Sequence, residues 1–291
     1  VINGTVTARA QGLTNTLRLK HKELVNMPTD RVWGGKEIRS CLLAGEGFEC
    51  MGSDQSSLED RVKQHYQWPL DPEYVKAQMR EDYDPHLAVC LMGGMLTEEQ
   101  VTSYKMKTVA EEVMKAIGKV RSAGKSTNYA CQYGAGIPTI ARSAKVEMDV
   151  AERLYKGYWK LNWSVKAIAE EQVVIRDSKG GKWLVNPING FCYSLRKESD
   201  RFSTLAQGTG SYFFDMWVDN ILNETESRYG RKTLTGSFHD ECILCIKDDE
   251  RFKEEFASII KEAVDKVNTE YKLRRKLGCD VQTGQRYSQI H

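Results

Sequence analysis

No run of about 18 apolar residues occurs in these 291 residues, and the N-terminus lacks the basic-then-apolar order of a secretory signal. The chain therefore reads as neither membrane-spanning nor secreted, and an intracellular protein is expected. Nor is there an excess of one charge. Lys and Arg number 42 against 40 Asp and Glu, a formal charge of +2, so net charge announces no polyanionic partner and only local clusters count. Internal repeats and low-complexity tracts are absent as well. Cys242 and Cys245 have a metal-ligand spacing, but no second Cys or His pair accompanies them, and residues three apart on a strand point to opposite faces. A zinc site is not expected. A starting Met is missing too: the chain opens at Val1 with a turn-like Asn3-Gly4 and reads as the C-terminal part of something longer.

What is present is ordinary globular composition, with 41% hydrophobic and 28% charged residues. The length suits one large domain or two smaller ones. The eight Cys are scattered, several within apolar runs where thiols behave as small hydrophobes, and they read as reduced. Residues 1 to 47 read as loops with one or two strands. A strand then ends near Asp54, and Ser56 and Glu59 have the spacing of a capping box that opens a helix. Residues 70 to 150 are mainly helical by apolar periodicity, and a single helix is expected over Met148 to Glu171. Hairpins are expected over residues 173 to 185 and around His239-Asp240-Glu241, separated by a helix at about 203 to 226. A long amphipathic helix with Phe252, Phe256, Ile259, Ile260, Ala263, Val264 and Val267 on its buried stripe follows the second.

Chemistry gathers at a few of these places. Asp54 and Asp240 each close an apolar strand, where a rigid backbone holds a carboxylate at a sheet edge; two such acids suit divalent metals and phosphoryl transfer. Taken singly, each also reads as a helix-start or turn acid. Arg121, Lys125, Tyr129 and Tyr133 are four apart, so successive members turn about 40° and all four sweep about 120° of one helix face. Two cations followed by two aromatics suit a triphosphate joined to a stacked base. A basic surface followed by a Tyr-lined core reads the same way. Arg18, Lys20 and Lys22, Lys115, Lys119, Arg121 and Lys125, and Lys272, Arg274, Arg275 and Lys276 form basic clusters, each a phosphate footprint or a solvated face.

Together these segments resemble the DNA polymerase I family, family A. Ser53-Asp54-Gln55-Ser56-Ser57-Leu58-Glu59-Asp60-Arg61 is similar to its first carboxylate motif, D-Y-S-Q-I-E-L-R. The face from Arg121 to Tyr133, followed by Gly134, resembles its fingers-helix signature, and His239-Asp240-Glu241 its third motif, H-D-E. Thr7-Ala8-Arg9 looks like T-G-R, Asn26-Met27-Pro28 like N-I-P, and Gln207-Gly208-Thr209 like Q-G-T; Tyr287 and the terminal His291 match the family's usual ending.

The resemblance implies a mixed α/β (α+β) right-hand polymerase: an antiparallel palm sheet from residues 1–60 and 201–291, and helical fingers from 61–200. It implies a DNA polymerase working in replication, most similar in style to phage replicative members, in the cytoplasm of a bacterium or phage-infected host. Asp54 and Asp240 would hold two Mg²⁺, with Glu241 in support. Arg121 and Lys125 would grip the triphosphate, with Lys125 the proton donor to pyrophosphate. His86, in Asp84-Pro85-His86, would contact phosphate, Tyr129 would stack beneath the nucleotide, and Glu59 and Tyr133 would crowd the sugar 2′ position. Arg9, Gln207 and His239 would meet the primer terminus and its minor groove. Partners are primer-template DNA and deoxynucleoside triphosphates. A thumb and exonuclease, which the family carries ahead of T-G-R, would belong to an N-terminal region or a separate subunit.

Departures from the pattern fall beside the chemistry: Gln55 for Tyr, Asp60 for Leu, Ala130 for Gly, Ser203 for Asn and Ser237 for Gln. They bear on fidelity and primer contacts more than on activity. A single-subunit RNA polymerase shares the plan but usually carries D-G, a fingers Met and H-D without Glu, against Asp54-Gln55, Tyr129 and Glu241 here. A nucleic-acid-binding subunit with decayed catalysis is the remaining alternative, though every catalytic position keeps its expected residue type.

Overall fold

The computed structural model describes residues 4, 6, 9–22, 24 and 27–290. Thr7, Ala8, Asn26 and His291, used in the resemblance, lie outside the described residues, as do Val1 and Asn3. The chain begins with β1 (Ala10–Leu13), β2 (Leu19–His21), α1 (Gly35–Ser40), β3 (Phe48–Gln55) and α2 (Leu58–Gln67). Next come α3 (Pro72–Gln78), α4 (Pro85–Met92), α5 (Glu98–Met106), α6 (Glu111–Gln132), α7 (Ile137–Ala144), α8 (Met148–Leu161) and α9 (Trp163–Glu171), then β4 (Val174–Arg176), β5 (Lys182–Val185) and β6 (Cys192–Ser194). It ends with α10 (Arg201–Tyr229), β7 (Gly236–Phe238), β8 (Glu241–Lys247), α11 (Glu250–Glu270) and β9 (Cys279–Gly284). Contacts divide this into two units, Val1–His65 with Pro187–Asn189 and Ala206–His291, and Tyr66–Asn186 with Gly190–Leu205.

The first unit is built on an antiparallel sheet of order β7-β8-β3-β9. Met51, Ser53 and Gln55 of β3 are buried on one face; on the other, Gly52 is buried beneath Ile290 while Asp54 is exposed. Helix α11 packs on β8 and β9 through Phe256, Ile259, Ile260, Ala263, Val264 and Val267, a stripe at helical spacing whose members each contribute about 1.5–3 kcal/mol when fully buried, the Ala less. The indole of Trp217 on α10 donates to Ile260 O at 3.0 Å, fastening α10 to α11. Asn268 on α11 exchanges hydrogen bonds with both the N–H and the C=O of Leu277, which sets the entry into β9.

One expectation changes here. Helix α2 starts at Leu58 rather than at Ser56, because Ser56 N–H donates to Gly278 O at 3.0 Å and stays in the sheet, while Ser57 turns through φ 52°. The strand β9, which borders Asp54, is not among the elements expected from the sequence.

In the second unit the core gathers Leu87, Cys90, Ile117, Ile140, Leu154 and Tyr158 from α4, α6, α7 and α8. Asp84 starts α4, its Oδ1 accepting from His86 N and Leu87 N at 2.9 and 3.0 Å, with Pro85 at the first helical position. Gly124 on α6, unexplained by propensity, is where α4 crosses: an added Cβ would meet His86 O at 2.4 Å and Cys90 Sγ at 2.6 Å. Gly124→Ala is therefore expected to destabilise the protein by about 2–4 kcal/mol despite alanine's better helix propensity, read as a lower denaturation midpoint in urea.

The single helix expected over Met148 to Glu171 is two, α8 and α9, broken at Asn162, whose backbone takes φ −106°. Its side chain donates back to Tyr158 O at 3.1 Å, the competition with helix that Asn offers. The expected hairpin at residues 173 to 185 forms, closed by Asp177, which accepts from Lys179 N and Gly181 N at 2.8 and 2.9 Å. A third strand, β6, extends it.

Candidate active site

The acids of the first unit are set by strand register. Asp54 lies opposite Glu241 across the β3–β8 ladder. Gln55 N–H donates to Asp240 O, and Asp248 N–H to Gly47 O, both at 3.0 Å. Because hydrogen-bonded and non-hydrogen-bonded pairs alternate, Asp54 and Glu241 form a non-hydrogen-bonded pair, the kind with Cα atoms only about 4.5 Å apart. On the other side Asp54 faces Asp280 of β9, so one sheet face carries the row Glu241, Asp54, Asp280.

Asp240 precedes this row in the two-residue turn between β7 and β8, where His239 adopts φ 57°. A non-glycine residue in that left-handed region costs about 1 kcal/mol, and such strain gathers at functional sites. A cavity of about 340 Å³ is lined by Asp54, Asp240 and Glu241 together with His21, His239 and Tyr287. The carboxylate oxygens are of the kind Mg²⁺ prefers. Among the described residues no group of three or more acid, His or Cys side chains is placed to hold a metal ion by itself.

Glu241 is only 6% exposed. The Tyr287 hydroxyl donates to its Oε2 at 3.0 Å, and the guanidinium of Arg39 lies 5.2 Å from the centroid of the Tyr287 ring. Burial and then the Glu241 carboxylate push the Tyr287 phenol well above its usual range, which keeps it a donor at every working pH. Arg39 is itself fixed by its Nε–H to Pro28 O at 2.7 Å. Tyr287→Phe is expected to lower kcat about tenfold with little change in KM, since it removes a buried hydrogen bond to a charged group; steady-state extension kinetics would read the split.

A second, smaller cavity of about 50 Å³ also borders the His239-Asp240 turn, lined by Arg18, Glu59, Gln207, His239 and Asp240 among others. It brings together Glu59 at the start of α2 and Gln207 of α10, which the sequence names separately. Burial first, and then the Arg18 charge, hold the His239 imidazole below its usual value, against the opposing pull of Asp240. Arg9, exposed, stands at the base of the β1–β2 hairpin, its carbonyl accepting from Lys22 N–H at 2.9 Å.

The second unit carries the other expected set on α6. Ile117, Ala123, Gly124, Thr127 and Cys131 are its buried side, while Lys125, Tyr129 and Tyr133 are exposed and Arg121 half-buried. Tyr133 sits at the C-cap. Arg121 Nε donates to Asp84 Oδ2 at 2.6 Å. Burial opposes ionisation of Asp84, but hydrogen bonds from Leu87 and Arg121 outweigh it and hold the carboxyl below its usual value. Lys125 has no ion-pair partner among the described residues. The Asn128 amide is 3.1 Å from His86 Nδ1. The same amide nitrogen lies 3.1 Å from Pro85 O and from Gly124 O, which ties α6 to the first turn of α4. His86 and Tyr129 have ring centroids 6.3 Å apart.

The sequence profile of DNA polymerase family A matches residues 3–289. The chain belongs to that family. It is similar to DNA polymerase I of Pseudomonas aeruginosa, 25% identical over 253 residues, which cover 83% of this chain and 25% of that protein. Against the thermostable DNA polymerase I of Thermus filiformis it is 23% identical over 272 residues, 90% of this chain and 29% of the relative. The chain thus spans roughly a quarter to three tenths of the length of these curated relatives. Among solved structures it resembles the POL domain of Pol1 from M. smegmatis in complex with DNA primer-template and dNTP, with TM-score 0.65 and 17% identity, over 95% of this chain and 47% of that one. The fold is therefore that of a family A polymerase domain, mixed α/β with an antiparallel sheet, as expected. No helix is long and apolar enough to cross a membrane among the described residues, and all eight Cys are free thiols.

Two residues, Asp280 beside Asp54 in the sheet and Arg18 at the smaller cavity, escaped sequence reading. Asp280 is paired to Asp54 by β9 alone, and Arg18 appeared only as one of a basic cluster.

Proposed function

We propose that this chain supplies the palm and fingers of a template-directed DNA polymerase, which adds deoxynucleotides to a primer 3′-hydroxyl and releases pyrophosphate in DNA replication. The observation that carries the proposal is the convergence of Asp54, Asp240 and Glu241 on one cavity in a family A chain. Residues 1–60 and 201–291 would be palm and 61–200 fingers; the division of contacts near residues 65 and 205 supports that assignment.

Asp54 and Asp240 would hold two Mg²⁺, and their carboxylate oxygens are the donor type that fits such ions. Bound there, the ions supply the Lewis-acid activation of the hydroxyl and the charge neutralisation that phosphoryl transfer requires. Glu241, locked by Tyr287, keeps the turn bearing Asp240 in register with β3. Arg121, oriented by Asp84, and Lys125 would take the triphosphate, with a proton passing from Lys125 Nζ to the departing pyrophosphate. His86 would contact a phosphate oxygen. Tyr129 offers an exposed ring for stacking, while Glu59 and Tyr133 would crowd the 2′ position and exclude ribonucleotides. Arg9, Gln207 and His239 would bind the primer terminus through minor-groove acceptors, which look alike for every correct pair and so leave sequence to the template.

The solved relative's primer-template and dNTP support DNA and deoxynucleoside triphosphates as partners. A thumb and exonuclease would come from an N-terminal region or a separate subunit, and the working place would be the cytoplasm of a bacterium or a phage-infected host. The test is primer extension by the purified protein with Mg²⁺, offering deoxynucleotides or ribonucleotides. Template-dependent extension with deoxynucleotides alone, stopped by a chelator, is expected; equal use of ribonucleotides, or none of either, would sink the proposal.

A further inference from the structure

Of the basic cluster Arg18, Lys20 and Lys22, the fold brings only Arg18 to the small cavity with Glu59, Gln207, His239 and Asp240. Lys20 and Lys22 are exposed and line no cavity there. Arg18 closes the β1–β2 hairpin and its backbone is pinned on both sides. Its N–H donates to Thr14 Oγ1 at 3.1 Å, and its carbonyl accepts from Thr14 N–H at 2.8 Å. Thr14 Oγ1 also lies 3.0 Å from Thr16 Oγ1, and Thr16 is buried. The hairpin's base is clamped in turn: the His21 ring sits 5.3 Å from Phe238 and edge-on, at 5.7 Å, to His239. An isolated two-stranded hairpin is marginal in water, so these contacts hold the Arg18 backbone in place beside the cavity that its side chain lines.

Charge gives that placement a purpose. The cavity holds Asp240 and Glu59, which repel any phosphate, yet Arg18 forms no ion pair with them or with any other described carboxylate. A guanidinium held beside carboxylates without pairing to them is available to a ligand that brings its own negative charge. Arg forks match phosphate oxygens in a fixed geometry.

We propose that Arg18 grips a phosphodiester oxygen of the primer strand close to its 3′ end. The inference rests on the polymerase reading and deepens it: Arg18 shares its cavity with Gln207 and His239, to which that reading assigns the primer terminus, whereas the triphosphate is assigned to Arg121 and Lys125. Arg18 thereby offsets the acid field that the primer end must enter and sets its register against Asp240.

The experiment is fluorescence-anisotropy titration of labelled primer-template across a salt series without nucleotide, alongside the KM for deoxynucleotide. Arg18→Ala, with Arg18→Gln as a second variant, is expected to raise Kd roughly tenfold to thirtyfold at low salt and to lower the salt slope by about one, leaving nucleotide KM unchanged. Arg18→Lys should recover most of the affinity, and Lys20→Ala should change it less than about twofold. An equal loss in Lys20→Ala would mean a diffuse field, unchanged DNA affinity would mean no contact, and a loss confined to nucleotide KM would move the ligand to the triphosphate; each overturns the proposal. Failure of the polymerase reading would be visible separately, as a parent protein that binds DNA and extends nothing.

Discussion

Asp54→Ala is expected to lower primer extension by on the order of a thousandfold or more while leaving the denaturation midpoint close to that of the parent. The two halves of this expectation come from different links in the chain of cause. Stability is spared because Asp54 is the exposed residue of β3, so its truncation opens no cavity and strips no apolar contact. Activity is lost because the side chain occupies the middle of the Glu241, Asp54, Asp280 row, and with it goes one of only two carboxylates assigned to the ions. A thousandfold is about 4 kcal/mol of transition-state stabilisation, a reasonable loss when a charge-neutralising site is left with a single acid. Asp54→Asn is the sharper variant, since it keeps volume and hydrogen bonding and removes only charge. If Asp54→Asn retained a tenth of parental activity, the charge of Asp54 would be incidental and the assignment of the cavity wrong. Single-nucleotide incorporation under single-turnover conditions, with far-UV circular dichroism as the fold control, separates these outcomes.

What the sequence made legible was local in character. The face Arg121, Lys125, Tyr129, Tyr133 followed from helical period alone, and α6 presents it with Ala123, Gly124 and Thr127 on the buried side. The hairpin carrying Asp240 followed from two apolar runs around a polar triplet. The parts that stayed hidden depend on long-range pairing. Strand β9 reads Cys-Asp-Val-Gln-Thr-Gly, whose alternation lasts only four residues, and becomes a strand because β3 offers it a ladder. Asp280 reaches Asp54 only through that pairing, 226 residues away along the chain. Arg18 is similar: its cluster spoke of phosphate in general, and only the fold, with His21 packed against Phe238, brings one cation of the three to the cavity. The break at Asn162 lay between, since a single Asn in an otherwise periodic run is tolerated in many helices and its back-bond to Tyr158 is decided by packing.

Lys125→Ala is expected to lower kcat/KM for nucleotide by roughly a hundredfold, and the contrast with its neighbour explains why. Arg121 already has a carboxylate partner, Asp84, at 2.6 Å; it is oriented in advance, and part of its charge is spent within the protein. Lys125 stands one turn further along the same face, exposed and without an ion pair among the described residues. A flexible ammonium pays entropy to engage, so it contributes most where charge changes during the reaction, as on the departing pyrophosphate. If Lys125 only neutralises charge, Lys125→Arg should restore both kcat and KM, because the guanidinium keeps the charge. If Lys125 also delivers a proton, Lys125→Arg should restore KM but leave kcat low, because Arg does not release its proton in the working pH range. The role assigned to Lys125 requires the second result, and recovery of kcat by arginine would reduce it to a point charge.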